Sequence, residues 1–264
     1  MDLQLKGKTA LVTGSSAGIG WAIACELAAE GAAVIVNGRD EARTSAAVQR
    51  IRAKLPGANV RAVAADLGTM QGCQSLIDTA GDVDVLVNNL GIFEPKPFEQ
   101  VSDADWARFF EVNVMSGVRL SRHYLPAMKQ RGWGRIVFIS SESGICPPAE
   151  MVHYGMTKSA QLSVSRGLAE TCAGTNVTVN AVLPGPTRSE GAAALFGKAA
   201  RESGKSLEQI ERDFFTHARP TSLLKRLIEP AEVAAMVAYV CSPRAAATNG
   251  AALRVEGGVV RALI

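Results

Sequence analysis

The sequence predicts an α/β fold, a doubly wound parallel sheet of about seven strands with helices on both faces. Two patterns carry that prediction. Short β-branched apolar runs alternate with longer segments of helical periodicity along most of the chain. Several runs also lack the polar alternation of a one-faced sheet, as strands covered on both faces do. The length of 264 residues suits one large α/β domain spanning 1–264. Right-handed crossovers then place a ligand crevice at the carboxyl ends of the strands.

In chain order, the strand candidates are 9–12, 33–36, 60–64, 83–87, 135–140, 176–182 and 252–255. Helical patterns occupy 18–30, 41–54, 70–79, 103–130, 151–171 and 231–239. One long insertion, 188–229, separates the sixth and seventh strands. It carries the apolar pairs Leu195-Phe196, Phe214-Phe215 and Leu223-Leu224. Its length suits either a lid over a binding site or a packed pair of surface helices. Arg188, Glu190 and His217 are its candidate polar contacts to a substrate.

Bulk properties exclude several function classes. A hydrophobic content of 47% with 20% charged residues describes a folded, ordered protein. The net charge of +3 is scattered, and its densest cluster (Lys129, Arg131, Arg135) is broken by Gly132 and Gly134, so no nucleic-acid partner is expected. No apolar run spans a bilayer, and Met1 leads into Leu3-Gln4-Leu5-Lys6 without an apolar leader, so neither a membrane partner nor export is expected. The five cysteines form no C-x-x-C pair, which reads as free thiols in the cytoplasm, with no metal site.

Chemistry-bearing residues begin with Thr13-Gly14-Ser15-Ser16-Ala17-Gly18-Ile19-Gly20, between the first strand and first helix. A phosphate site needs a turn without side chains and a helix amino terminus whose free N–H groups face the anion. Gly14, Gly18 and Gly20 supply that turn, with Ser16 and Ile19 beside it. Dinucleotide sites place an acid or an arginine at the end of the second strand to read the ribose. Gly38 stands where the acid is expected, Arg39 follows, and Asp40 reads as the cap of the next helix. A guanidinium suits a 2′-phosphate, so NADP(H) is favoured over NAD(H). Asp66 and Leu67 after the third strand, and Asn89 and Gly91 after the fourth, lie where adenine and ribose would rest.

Tyr154 and Lys158 fall one helical turn apart on a shared face. A phenol titrates near 10 and is a poor base at neutral pH. An ammonium about 4 Å away, at an effective dielectric near 20, is worth roughly 4 kcal/mol, or about three pKa units toward phenolate. That is the range useful for acid-base work. Any helical Tyr and Lys at this spacing would qualify, so the pair acquires meaning only in company.

That company makes the chain resemble the short-chain dehydrogenase/reductase family over essentially its whole length. The residues that carry the resemblance are Thr13–Gly20 (TGxxxGxG), Asn88–Gly91 (NNAG), Asn113, Ser141, Tyr154 with Lys158 (YxxxK) and Pro184-Gly185-Pro186-Thr187. The TGxxxGxG spacing resembles the compact reductase branch. The resemblance implies a Rossmann-type fold and a carbonyl/alcohol oxidoreductase. Tyr154 would exchange the proton, Ser141 would hydrogen-bond the reacting oxygen, and Lys158 would lower the Tyr154 pKa and bind the nicotinamide ribose. Asn113 would hold a water linking Lys158 to solvent, Thr187 and the backbone after Gly185 would fix the carboxamide, and Pro184 and Gly185 would touch the coenzyme. A homotetramer is also implied.

The chain departs from the pattern at Leu90, where alanine is usual, and at Ser189, where threonine is common. Glu142 and His153 adjoin the site in sequence, but such neighbours often point away. Two alternatives remain. A 3-oxoacyl-thioester reductase would want basic residues at the entrance, for which Lys129 and Arg131 are candidates. A catalytically silent NADP(H)-binding sensor or scaffold is disfavoured by the complete set of Asn113, Ser141, Tyr154 and Lys158.

Overall fold

A computed structural model of the chain describes residues 2–263. Seven strands form one sheet: β1 (Thr9–Val12), β2 (Ala33–Gly38), β3 (Val60–Ala64), β4 (Val85–Asn88), β5 (Gly134–Ile139), β6 (Val177–Pro184) and β7 (Ala252–Val255). Their order is β3-β2-β1-β4-β5-β6-β7, and every pairing is parallel. The strand order reverses between β1 and β4, and such a switch point opens a crevice at the carboxyl ends. Burial follows position. β4, β5 and β6 are buried at every residue, whereas the edge strands β3 and β7 are partly exposed.

Helices α1 (Gly18–Ala29), α2 (Glu41–Lys54) and α9 (Pro230–Cys241) cover one face. Ile23, Leu27, Ile51, Val237 and Val240 pack there against Val12, Val36 and Val137. The other face receives α3 (Met70–Ala80), α5 (Ser116–Arg131) and α6 (Val152–Thr171), through Leu76, Leu120, Met128 and Ala169 against Leu11, Ile35 and Phe138. Each fully buried Leu or Ile contributes about 1.5–3 kcal/mol, which makes these two layers the frame on which the crevice stands.

Local chemistry sets the helix starts. Asp40 accepts from Arg43 N at 2.8 Å, so it caps α2 as expected. Thr69 caps α3, and Ser102 with Asp105 forms a capping box at α4 (Asp103–Phe110). The helix expected over 103–130 is broken: α4 gives way to a π-helical turn at Glu111–Met115 before α5 begins. A π-turn interrupts backbone pairing without disturbing the apolar stripe on either side, so periodicity conceals it.

The 188–229 insertion folds as α7 (Glu190–Ser203), α8 (Leu207–Asp213) and a second π-turn, Phe214–Ala218. Phe196, Phe215 and Leu227 form a small core of their own, with Ile210 and Phe214 packed on it. The packed segment also contributes Leu195, Phe196, Phe214 and Arg219 to the wall of the crevice. No helix among the described residues is long and apolar enough to cross a membrane, and no group of ligating side chains among them could hold a metal ion.

Candidate active site

The crevice at the carboxyl edge is a cavity of about 310 Å³. Its floor is the turn between β1 and α1. Gly14 and Gly18 both have φ of +59°, which side chains rarely tolerate. A Cβ on Gly20 would lie 2.5 Å from Asn89 Nδ2 and 2.6 Å from the Gly14 carbonyl. Asn89 Nδ2 donates to the carbonyls of Thr13 and Gly14, while Asn37 Oδ1 accepts from Gly14 N. Thus Asn37, which sequence reasoning passed over, and Asn89 hold the turn from two sides. No side chain caps α1, and its first turn carries no acid. Ala17, Ile19 and Gly20 line the cavity, so an uncapped helix terminus faces it, and a phosphate group fits that environment.

The ribose-reading position is sterically defined. A side chain on Gly38 would meet Thr44 Oγ1 at 2.6 Å and Ser16 Oγ at 3.2 Å. Arg39 is exposed just beyond, and Arg50 reaches the same loop by donating to the Ser16 carbonyl at 2.7 Å. Asp66 Oδ1 accepts from Gly68 N at 3.0 Å, and Leu67 is buried behind it. Leu90 packs behind Gly14 against the second core, with its Cα 3.1 Å from where a Gly14 Cβ would stand. On the far wall Thr187 donates to the Gly185 carbonyl, and a Cβ on Gly185 would strike Glu256. Pro184, Gly185 and Thr187 all line the cavity.

Ser141, Tyr154 and Lys158 converge on this cavity from β5, its following turn and α6. Lys158 Nζ is buried and donates to the Ile139 carbonyl at 2.8 Å and to Gln161 Oε1 at 3.2 Å. Asn113 sits in the first π-turn. Its side chain is bound to both backbone groups of Ile92 and to Thr157 Oγ1. Its own carbonyl accepts from Gln161 Nε2 at 2.6 Å. Gln161, a residue that sequence reasoning did not single out, therefore joins Lys158 to the Asn113 backbone. A Cβ on Gly91 would come within 3.4 Å of Lys158 Nζ, so glycine there keeps the lysine accessible.

Electrostatics correct the expected Tyr–Lys arithmetic. Lys158 Nζ lies 5.5 Å from the Tyr154 ring centroid. Burial pushes the lysine down to about 7, so it brings less charge than a solvated ammonium. Tyr154 is driven up, first by burial and then by the Glu142 carboxylate, with the Ser141 hydroxyl opposing.

The two neighbours divide. His153 points away and is buried between Trp106 and Phe109, at 6.1 and 4.3 Å between ring centroids. Glu142, expected to point away, turns inward: its Oε2 accepts from Ser141 Oγ at 2.5 Å. Its other oxygen faces Arg219, 3.5 Å away, and Arg219 also pairs with Glu150. All three acidic and basic groups line the cavity. The polar contacts expected from the insertion do not. Arg188 is held by Glu211 and Glu229, Glu190 pairs with Arg43, and His217 is exposed to solvent. Ser189 caps α7. Lys129 and Arg131 bind the carbonyls of Thr171 and Val83, at the amino edge of the sheet, opposite the cavity.

Residues 8–199 match the short chain dehydrogenase family. An uncharacterized oxidoreductase of Bacillus subtilis, YvaG, is 49% identical over 100% of both chains. The 3-oxoacyl-[acyl-carrier-protein] reductase FabG of Aquifex aeolicus is 34% identical over 98% of this chain and 100% of its own. The crystal structure of L-sorbose reductase from Gluconobacter frateurii, complexed with NADPH and L-sorbose, superposes with a TM-score of 0.93 at 31% identity over 100% of both chains. With the parallel sheet, the glycine turn and the convergence of Ser141, Tyr154 and Lys158, these likenesses show that the chain belongs to the short-chain dehydrogenase/reductase family and is an NAD(P)-dependent oxidoreductase.

Proposed function

We propose that the protein interconverts a ketone or aldehyde and the corresponding alcohol with NADP(H), and that Tyr154 exchanges the proton. The observation that carries this reading is the placement of Ser141, Tyr154 and Lys158 in the same cavity as the glycine turn. The turn and the amino terminus of α1 would hold the pyrophosphate, and Thr187 with the backbone after Pro184 would hold the carboxamide. The reduced nicotinamide, when bound, supplies the hydride.

In reduction, the substrate carbonyl oxygen rests between Ser141 Oγ and the Tyr154 hydroxyl. Tyr154, kept a phenol by its raised pKa, gives its proton to that oxygen as negative charge develops. Lys158, held by Ile139 and Gln161, is positioned to stabilise the phenolate left behind. Gln161 fixes the lysine to Asn113, so these two residues act on the chemistry through Lys158.

Preference for NADP(H) rests on Arg39 and on the exclusion of an acid at Gly38. A carrier-protein substrate is not favoured, because Lys129 and Arg131 lie at the wrong edge. A homo-oligomer remains the assembly that family membership suggests. The test is turnover of NADPH with a panel of carbonyl compounds by the wild type and Tyr154→Phe. A loss of kcat by about two to four orders of magnitude, with NADPH affinity kept within about threefold, is expected. Unchanged turnover in the variant would overturn the mechanism, and no turnover on a broad panel would favour a silent sensor.

A further inference from the structure

Glu142 is a polar feature of the cavity that proton and hydride transfer do not use. It is 6% exposed and lines the wall beside Tyr154. Ser141 and Arg219 engage its two oxygens at 2.5 and 3.5 Å. Arg219 follows the second π-turn and is 9% exposed; it donates to Glu150 Oε1 at 3.1 Å and to the Ala218 carbonyl at 2.8 Å. Burying paired charges is expensive, and an apolar pair of similar volume is often as stable. Fold stability therefore supplies little reason for this pair, whereas its position at the cavity wall supplies one.

We infer that Glu142 is a specificity residue that accepts a hydrogen bond from a hydroxyl on the carbon next to the reacting carbonyl, and that the substrates are uncharged α-hydroxy carbonyl compounds with an apolar remainder. This rests on the oxidoreductase reading above. A carboxylate offers about four lone-pair sites. Without substrate, Ser141 and Arg219 face two of them, and the one Ser141 leaves when it turns to the reacting oxygen is open to a substrate donor. When substrate enters, Ser141 turns its one proton from Glu142 to the reacting oxygen. The two side chains lie 2.5 Å apart, so a hydroxyl that takes the vacated place on Glu142 lies one or two bonds from the reacting carbon. An acidic substrate is disfavoured, because Arg219 on the cavity wall already faces the carboxyl groups of Glu142 and Glu150. The remainder of the substrate meets Phe93, Leu195, Phe196 and Phe214, which are apolar.

Three probes with one carbon skeleton test this: 1-hydroxy-2-hexanone, 2-hexanone and 2-oxohexanoate, each with NADPH and with NADH. The wild type is expected to favour the hydroxyketone over the plain ketone by about tenfold or more in kcat/KM, with the oxo acid lowest. In Glu142→Leu the hydroxyketone-to-ketone ratio should fall to within about threefold of unity, and in Glu142→Gln it should fall partway. Ratios within one protein cancel any general loss of Ser141 positioning or of folded fraction, and the conservative variant covers the case in which leucine prevents folding. Equal rates on hydroxyketone and ketone, preference for the oxo acid, or a ratio unmoved in both variants would overturn the assignment. So would turnover of other carbonyl compounds with none of these three. Absence of turnover on every carbonyl compound would instead overturn the oxidoreductase reading on which it rests.

Discussion

Between β1 and α1 the cavity is walled by main chain. Gly14 and Gly20 leave little room for a side chain, Gly18 holds a φ of +59°, and Asn37 and Asn89 spend their amides bracing that backbone. Across the cavity the wall is made of side chains: Glu142 and Glu150 beside the catalytic turn, and Phe196, Phe214 and Arg219 from the insertion. A backbone surface can vary little without losing its ligand, whereas a side-chain surface can be rewritten one residue at a time. The first half suits a ligand common to many enzymes, and the second suits a substrate particular to one.

The sharpest way to break this contrast is Gly20→Ala. One added carbon must displace Asn89 and the Gly14 carbonyl, so coenzyme affinity should fall by about a hundredfold in a fluorescence titration. A variant that binds normally would show that the turn is not close-packed. Next is Arg39→Ala, which should weaken NADPH by about tenfold and leave NADH unchanged. Equal affinity of the wild type for both coenzymes would remove the 2′-phosphate argument.

Phe214→Ala belongs to the other half. It should lower kcat/KM by several-fold on substrates with an apolar remainder, with coenzyme affinity unchanged, and a coenzyme effect there would blur the division. A separate signal is in stability. Burial holds Lys158 near 7, below its ordinary 10.5. The unfolded chain binds more protons between those values, so the wild type gains stability as pH rises from 7 toward 10.5. Melting temperatures of Lys158→Met and the wild type should therefore shift in favour of the wild type across that interval, after favouring the variant most at pH 7 and below.

The coenzyme half was the more legible in sequence for the same reason. Glycine at a fixed spacing after a strand has few explanations, and Asp40 as a helix cap follows from its place before Glu41. The strands came within about two residues because buried parallel strands are continuous apolar runs. The substrate half was obscure because orientation decides it: Glu142 and His153 each adjoin a catalytic residue, and only the turn after β5 sends one inward. Gln161 lay hidden one turn beyond Lys158, since its partner is a carbonyl in the Glu111–Met115 π-turn. Arg219 was missed and Arg188 preferred because helix ends inside the insertion could not be read from its patchy periodicity.

The contact between Gly38 and Thr44 bears on redesign. An acid at the end of β2 is the obvious substitution for converting such an enzyme to NAD(H), yet here its Cβ would sit 2.6 Å from Thr44 Oγ1. That hydroxyl is not free to swing aside, because it donates to the Asp40 carbonyl at 2.6 Å within the first turn of α2. A coenzyme swap in this scaffold is therefore a two-site problem, in which position 44 must shrink before position 38 can carry charge.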